Sequence, residues 1–215
     1  MPVIDSQQSY TYSRYFELRI DPIDPIDLCE YFGYSLVLAE LLPREMGGDW
    51  LDVAQLQRRL TKISTRLISR NEQAKREMLV APVIEFVVEA ADALIRIEYP
   101  VNVSEQLQGN LDYLVSIDNL SQLLVIEAKR DDMDYGFTQL MAELIALDRW
   151  ERSPSVEQQS VLIGAVTTGT FWQFARLDRT SKQIIQGINA WRSPEDLALV
   201  VQILVQALRA TEPPL

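Results

Sequence analysis

The chain has 215 residues, 47% hydrophobic and 24% charged, with a formal net charge of −11 and no histidine. That length and balance fit one α/β domain with a full hydrophobic core. Without histidine, and with Cys29 as the single cysteine, a Ser-His-Asp triad, a Cys-His pair, a thiolate zinc site and an internal disulfide are excluded.

In chain order, residues 1–27 are mostly polar, and the near-repeat Pro22-Ile-Asp-Pro25-Ile-Asp27 reads as extended chain and turns. Leu28–Leu42 is apolar without a clear period and ends at Pro43 and Gly47-Gly48. Leu51, Ala54, Leu56, Leu60, Ile63 and Leu67 recur at helical spacing, which predicts a helix from Trp50 to about Ile68. A second helical stretch is expected from Asn71 through Leu79, kinked or restarted at Pro82 before Val83–Ala91.

The texture then turns to strand. Leu94–Val103 reads as a strand interrupted by Pro100, and Leu111–Ile117 and Gln122–Ala128 as a hairpin around Asp118-Asn-Leu-Ser121. Residues 134–150 return to helical period through Phe137, Leu140, Met141, Leu144 and Leu147. Val161–Thr167 and Phe171–Leu177 form a second hairpin, with Trp172 and Phe174 expected to pack against the sheet. The last helix is expected over 194–210, with Ser193 as N-cap, Pro194 at its first position and Glu195-Asp196 in its first turn. This order predicts an α/β domain with a central mixed β-sheet flanked by helices. Residues 1–50 read as an N-terminal elaboration and 51–215 as the core.

No apolar run approaches the roughly 18–20 residues that span a bilayer, and the start lacks the features of a signal peptide. The expected location is therefore the cytoplasm, with no membrane partner. Charge is unevenly spread. Residues 58–76 hold seven basic side chains against one acid, Glu72, leaving 13 basic and 30 acidic residues elsewhere. Arg58, Lys62, Arg66 and Arg70 recur every four residues, a stripe suited to a phosphate backbone or simply to a solvated helix face.

The uniformly apolar Leu123-Leu-Val-Ile126, expected of a strand buried on both faces, runs directly into Glu127-Ala-Lys129. Residues two apart share a strand face, so Glu127 and Lys129 project together. With residues 118–121 as the loop, opposed positions have numbers totalling 239, which sets Asp112 opposite Glu127. Facing carboxylates repel, and a divalent cation between them would convert repulsion into coordination.

Gly109-Asn-Leu-Asp112-Tyr followed by Val125-Ile-Glu127-Ala-Lys129 resembles the PD-(D/E)XK nuclease signature. In pattern it is closest to the N-terminal nuclease domain of type I restriction motor subunits, although Leu111 stands where proline is usual. Asn71-Glu72-Gln-Ala-Lys-Arg76 with Leu79-Val-Ala-Pro82 resembles the family's glutamate-bearing helix, and Gly136-Phe-Thr-Gln139 its glutamine-bearing helix. Val161–Gly169 with Trp172 and Phe174 is similar to the hairpin that follows. The likeness covers about half of the chain, residues 69–178.

The resemblance implies a restriction-endonuclease-like core that hydrolyses DNA phosphodiester bonds. Asp112 and Glu127 would hold Mg²⁺, with Mn²⁺ as a substitute, and Lys129 would orient or activate the attacking water. Glu72 would add an outer-shell or second-metal contact, and Gln139 would orient Lys129 or a backbone phosphate. The implied partners are DNA and either a second copy of the chain or a larger restriction or repair assembly. Two other readings stay open. One is a catalytically inactive nuclease-fold module that binds nucleic acid or protein, and the other is a structural protein in which Glu127-Ala-Lys129 is coincidental. Ser69-Arg-Asn-Glu72 also fits a capping box, which would give Glu72 a purely structural job, with Glu77 and Glu85 as substitutes.

Overall fold

Strands from both ends of the chain meet in one mixed sheet in the computed structural model, which describes residues 4–17, 23–43, 52–68, 71–129, 133–209 and 215. The N-terminal part supplies α1 (Arg14–Glu17), α2 (Pro25–Tyr31) and β1 (Ser35–Ala39). Then come α3 (Ala54–Ser64), α4 (Glu72–Lys75), a π-helical turn (Arg76–Val80) and α5 (Ala81–Ala91). Three strands follow, β2 (Leu94–Ser104), β3 (Leu107–Ile117) and β4 (Ser121–Ala128), then α6 (Met133–Arg149). The chain closes with β5 (Val161–Thr167), β6 (Phe171–Asp178), β7 (Gln183–Gly187), β8 (Trp191–Arg192) and α7 (Leu197–Arg209).

The sheet order is β1-β7-β6-β5-β4-β3-β2, with β8 paired to β6. β4 lies parallel to β5 and antiparallel to β3, a central position that explains its unbroken apolar run. Leu123, Leu124, Val125 and Ile126 are all fully buried. Leu123 and Val125 face a cluster built from α6 and the N-terminal segment, including Tyr12, Leu28, Phe137 and Leu140. Leu124 and Ile126 face a second cluster of α3, α5 and α7 residues, including Leu60, Val83, Val87, Val201 and Leu204. Each such side chain contributes about 1.5–3 kcal/mol by burial. The α/β architecture and the burial of Trp172 and Phe174 are as expected. Among the described residues, no helix is long and apolar enough to cross a membrane.

Three local expectations are corrected. Residues 25–27, expected to be extended, open the helix Pro25–Tyr31, because Asp24 accepts the Ile26 N–H as N-cap and Pro25 has the backbone angle that a first helical turn needs. Pro100 does not interrupt β2, which runs through it paired to Asn110; β2 is an edge strand, where a missing donor costs little. Pro82, by contrast, stands in the first turn of α5, as the expected restart before Val83–Ala91 has it. The chain widens into the π turn, in which Ala81 N–H reaches Arg76 O, and continues as α5. Ser193 and Pro194 do not open the last helix. Residues 193–196 form a turn closed by Asp196, which accepts the Arg192 N–H through its side chain, and α7 begins at Leu197. Trp50, Ser69 and Arg70, named above for a helix start, a cap and the basic stripe, lie outside the described residues.

Candidate functional site

The β3–β4 hairpin has the register that sets Asp112 toward Glu127. Tyr113 pairs with Ile126, Leu114 with Val125, Val115 with Leu124 and Ser116 with Leu123. The turn is one residue tighter than expected, since Ile117 pairs with Ser121, and a register shift next to it restores the count. Gln122, at φ 52°, takes up the extra residue. Asp112 and Glu127 lie one step beyond the last paired position. There the ladder is completed by a side chain, as Asp112 Oδ2 accepts the Ala128 N–H at 2.9 Å.

Glu127 and Lys129 share the strand face covered by α6. Lys129 Nζ lies 2.6 Å from Glu127 Oε1 and donates to Gln139 Oε1 at 2.8 Å. Gln139 Nε2 in turn donates to Glu143 Oε1 at 2.9 Å, one helical turn on. Two glycines let α6 approach closely enough for this chain of contacts. A Cβ on Gly136 would meet Val166 Cγ1 at 2.4 Å, and one on Gly164 would meet Leu140 Cδ1 at 2.7 Å.

A pocket of about 430 Å³ opens over these groups. Asp112, Glu127, Lys129 and Gln139 line it, together with Glu98 and Asn110 from the β2–β3 hairpin and Thr11–Ser13 from the N-terminal segment. Gly109 makes that wall possible. Its φ of +145° and absent side chain admit the Tyr12 ring, which would stand 2.8 Å from a Cβ, while Tyr12 donates its hydroxyl to Val101 O.

Electrostatically the site is strained toward neutrality. Glu127 is 1% exposed, and the Oε2 atoms of both Glu127 and Glu143 are buried without a hydrogen bond. Burial pushes the Glu127 carboxyl well above the usual range, with the charges of Glu143 and Asp112 adding and Lys129 opposing. Burial likewise pushes Glu143 up to about 8, against the hydrogen bond from Gln139. For Lys129 burial acts the other way, but the adjacent Glu127 carboxylate outweighs it and holds the ammonium above the ordinary lysine value. On the other side, Arg76 Nη1 lies 3.2 Å from Asp112 Oδ1, Arg76 Nη2 lies 2.7 Å from Glu98 Oε1, and the guanidinium stacks over the Tyr113 ring.

The structure thus brings together Asp112, Glu127, Lys129 and Gln139. Glu72 is not among the pocket's lining residues. Asn71 caps its helix by accepting the Ala74 N–H, which puts Glu72 at the first helical position, partly exposed. Of its substitutes, Glu77 is exposed and accepts from Gln73, and Glu85 opens into a different pocket lined by α3 and α5 residues. Arg58, Lys62 and Arg66 are exposed, but only the first two are on α3, because that helix stops at Ser64.

Arg76 and Glu143 were missed by the sequence reading. Glu143 could have been found from the period alone, since it sits four residues after Gln139 on the same helical face. Arg76 had no such signal, because its approach depends on the π turn. No known protein-family model matches this chain, and no curated protein sequence matches it either.

Proposed function

We propose that this chain is a divalent-cation-dependent nuclease of the PD-(D/E)XK type that hydrolyses DNA phosphodiester bonds in the pocket over Asp112, Glu127 and Lys129. The observation that carries this reading is the meeting of two carboxylates, a lysine and its glutamine partner at one strand end, in the arrangement that the motif resemblance implies.

The donor set fits a hard cation. Asp112 and Glu127 offer oxygen ligands, and Glu127 Oε2 is buried with no hydrogen-bond partner. Among the described residues no group of three or more acidic, cysteine or histidine side chains is arranged to hold a metal. Such an ion would therefore take its remaining ligands from water and substrate phosphate oxygens, as Mg²⁺ commonly does. When bound, the cation supplies Lewis-acid polarisation of the phosphate and a more acidic water.

The chain's own residues do the rest. Lys129, kept protonated by Glu127 and held by Gln139, orients the attacking water and offsets charge developing on phosphorus. Gln139 is itself fixed by Glu143, so its carbonyl faces the ammonium. Asp112 is anchored to the end of β4 through the Ala128 N–H.

A second reading, a catalytically silent module of the same fold, is favoured by one observation. Glu98, Asp112 and Glu127 outnumber Lys129 among the charged groups lining the pocket, which is unfavourable for a phosphodiester unless a cation intervenes. The deciding experiment is cleavage of single-stranded and duplex DNA with Mg²⁺ or Mn²⁺, comparing the wild type with Glu127→Ala and Lys129→Ala. Metal-dependent cleavage that falls by about 10²–10⁴ in both variants, with circular dichroism unchanged, is the expected result. No cleavage of any substrate, or cleavage that survives both changes, overturns the catalytic reading and leaves the module in front.

A further inference from the structure

Arg76 has no assigned role in the reaction above, yet it is the group that holds Asp112 from outside the sheet. Its guanidinium forks between two carboxylates, Asp112 at 3.2 Å and Glu98 at 2.7 Å. It is 21% exposed and Asp112 13%, so this is a partly desolvated pair rather than a surface one. Its guanidinium carbon also lies over the Tyr113 ring, 5.4 Å from the ring centre, a cation–π contact that helps hold it there. The residue opens the π turn that joins α4 to α5. A π turn carries one more residue than an α turn and re-aims the side chains beside it.

We infer that Arg76 is the displaceable counter-ion of Asp112. In the metal-free protein it neutralises the carboxylate and keeps it in place, and a divalent cation must take Asp112 from it, leaving the guanidinium on Glu98. This inference rests on the reading that a cation binds at Asp112.

The geometry supplies both halves of the exchange. Asp112 has two oxygens with different partners: Oδ2 is tied to the Ala128 N–H, and Oδ1 faces Arg76. Of these two contacts, the one at Oδ1 is with a positive charge, so that is the contact a cation would replace. The shorter contact of Arg76 is with Glu98, which lies on a different strand and is 53% exposed. Giving up Asp112 therefore does not strand the arginine: one carboxylate partner remains and water reaches the pair. Glu98 sits at φ +50°, where β2 leaves its regular ladder opposite Asp112. That backbone departure sets its side chain beside both Arg76 and the pocket. The arrangement makes Arg76 and the cation competitors for one oxygen, and competition between two ligands for one group is a coupling free energy with a measurable sign.

The test is calorimetric titration of Mn²⁺ into the wild type, Arg76→Gln, Arg76→Lys, Glu98→Gln and the Arg76→Gln/Glu98→Gln double variant, without DNA. Arg76→Gln removes the competitor and is expected to tighten Mn²⁺ binding about tenfold. Arg76→Lys keeps the charge without the planar fork and is expected to fall between the two. Glu98→Gln removes the resting partner and is expected to weaken binding in the wild-type background but not in the Arg76→Gln background. Unchanged or weaker Mn²⁺ binding in Arg76→Gln overturns the inference, as does a Glu98→Gln effect of equal size in both backgrounds. Circular dichroism checks folding, and Arg76→Lys carries the test if Arg76→Gln does not fold. If Mn²⁺ fails to bind the folded wild type and every variant, the metal reading itself fails. Binding that ignores Arg76 removes only the counter-ion role.

Discussion

Replacing Glu143 by glutamine is expected to stabilise the metal-free protein at alkaline pH and to leave it unchanged near pH 5. Glu143 is wholly buried, and its Oε1 accepts from Gln139 while Oε2 has no partner. Glutamine has the same shape as a protonated glutamate, and its carbonyl can still accept from Gln139. What the substitution removes is the capacity to ionise. The Glu143 carboxyl is raised from an ordinary 4.5 to about 8. A raised carboxyl pKa gives stability that is fully present below the unfolded value and lost as pH rises through the folded one. The wild type therefore loses stability between about pH 5 and pH 9.

That raised value corresponds to at most about 5 kcal/mol. Lys129 and Glu127 readjust as the charge arrives, so about 2 kcal/mol is the expected advantage of Glu143→Gln at pH 9. For a chain of this size that is about 4–8 °C in Tm. The assay is thermal unfolding of both proteins in chelator from pH 5 to pH 9, reading the difference in Tm, since titrations away from Glu127 and Lys129 are common to the two and cancel. A difference that stays constant across the range, or a variant that is less stable throughout, would refute the assignment of Glu143 as a buried, proton-holding carboxyl.

Three further outcomes follow from the same geometry. Gln139→Leu removes the carbonyl that holds Lys129, so DNA cleavage should fall by about 10–100-fold while calorimetric Mn²⁺ affinity stays unchanged; an equal loss of both places Gln139 with the ligands instead. Asp148 is buried against Arg179 at 2.9 Å, Lys182 at 2.6 Å and the Tyr34 hydroxyl at 2.7 Å. Burial opposes its charge, but hydrogen bonds from Lys182, Tyr34 and Arg179 hold its carboxyl below the usual range. Asp148→Asn leaves the buried Arg179 without its carboxylate and should cost about 3–5 kcal/mol in urea unfolding at pH 7, an advantage of the wild type that shrinks as acid protonates Asp148. Gly136→Ala drives a methyl group into Val166, costing about 1–3 kcal/mol, and Val166→Ala in the same chain should recover part of it. Two independent, additive losses would show that helix and strand are not in contact there.

Much of the fold was legible because it rests on local pattern. The β3–β4 register could be read because Leu123–Ile126 of β4 is apolar at every position and the loop residues are turn formers, and two deviations at the turn happened to cancel. Elements whose form depends on neighbours were harder. Residues 22–27 looked like extended chain because Pro22 and Pro25 dominate the pattern, although Pro25 sits where α2 begins. Pro100 looked like a break because the edge position of β2 is a property of the whole sheet. Within the site, Asp112, Glu127 and Lys129 could be named from hairpin register and strand alternation, and Gln139 from the motif resemblance. Arg76 could not, since it reaches Asp112 across 36 residues of chain, and nothing local to either residue encodes that contact.

The placement of the site on α6 ties its chemistry to the core. Leu140 and Leu144 pack into the same cluster that Leu123 and Val125 of β4 join, while Gln139 and Glu143, each one residue before these leucines, carry the polar chain to Lys129. The helix cannot slide or tilt to relax the charges without opening the apolar contacts beside them, and well-packed interiors resist such shifts. Gly136 and Gly164 set how near the helix comes. Rigidity of this kind explains how two carboxyls with unpartnered buried oxygens persist in a folded protein. The surrounding burial holds them where no isolated pair would stay, and charge neutrality is then met by protons, by Lys129 and Arg76, or by a cation entering from the open side.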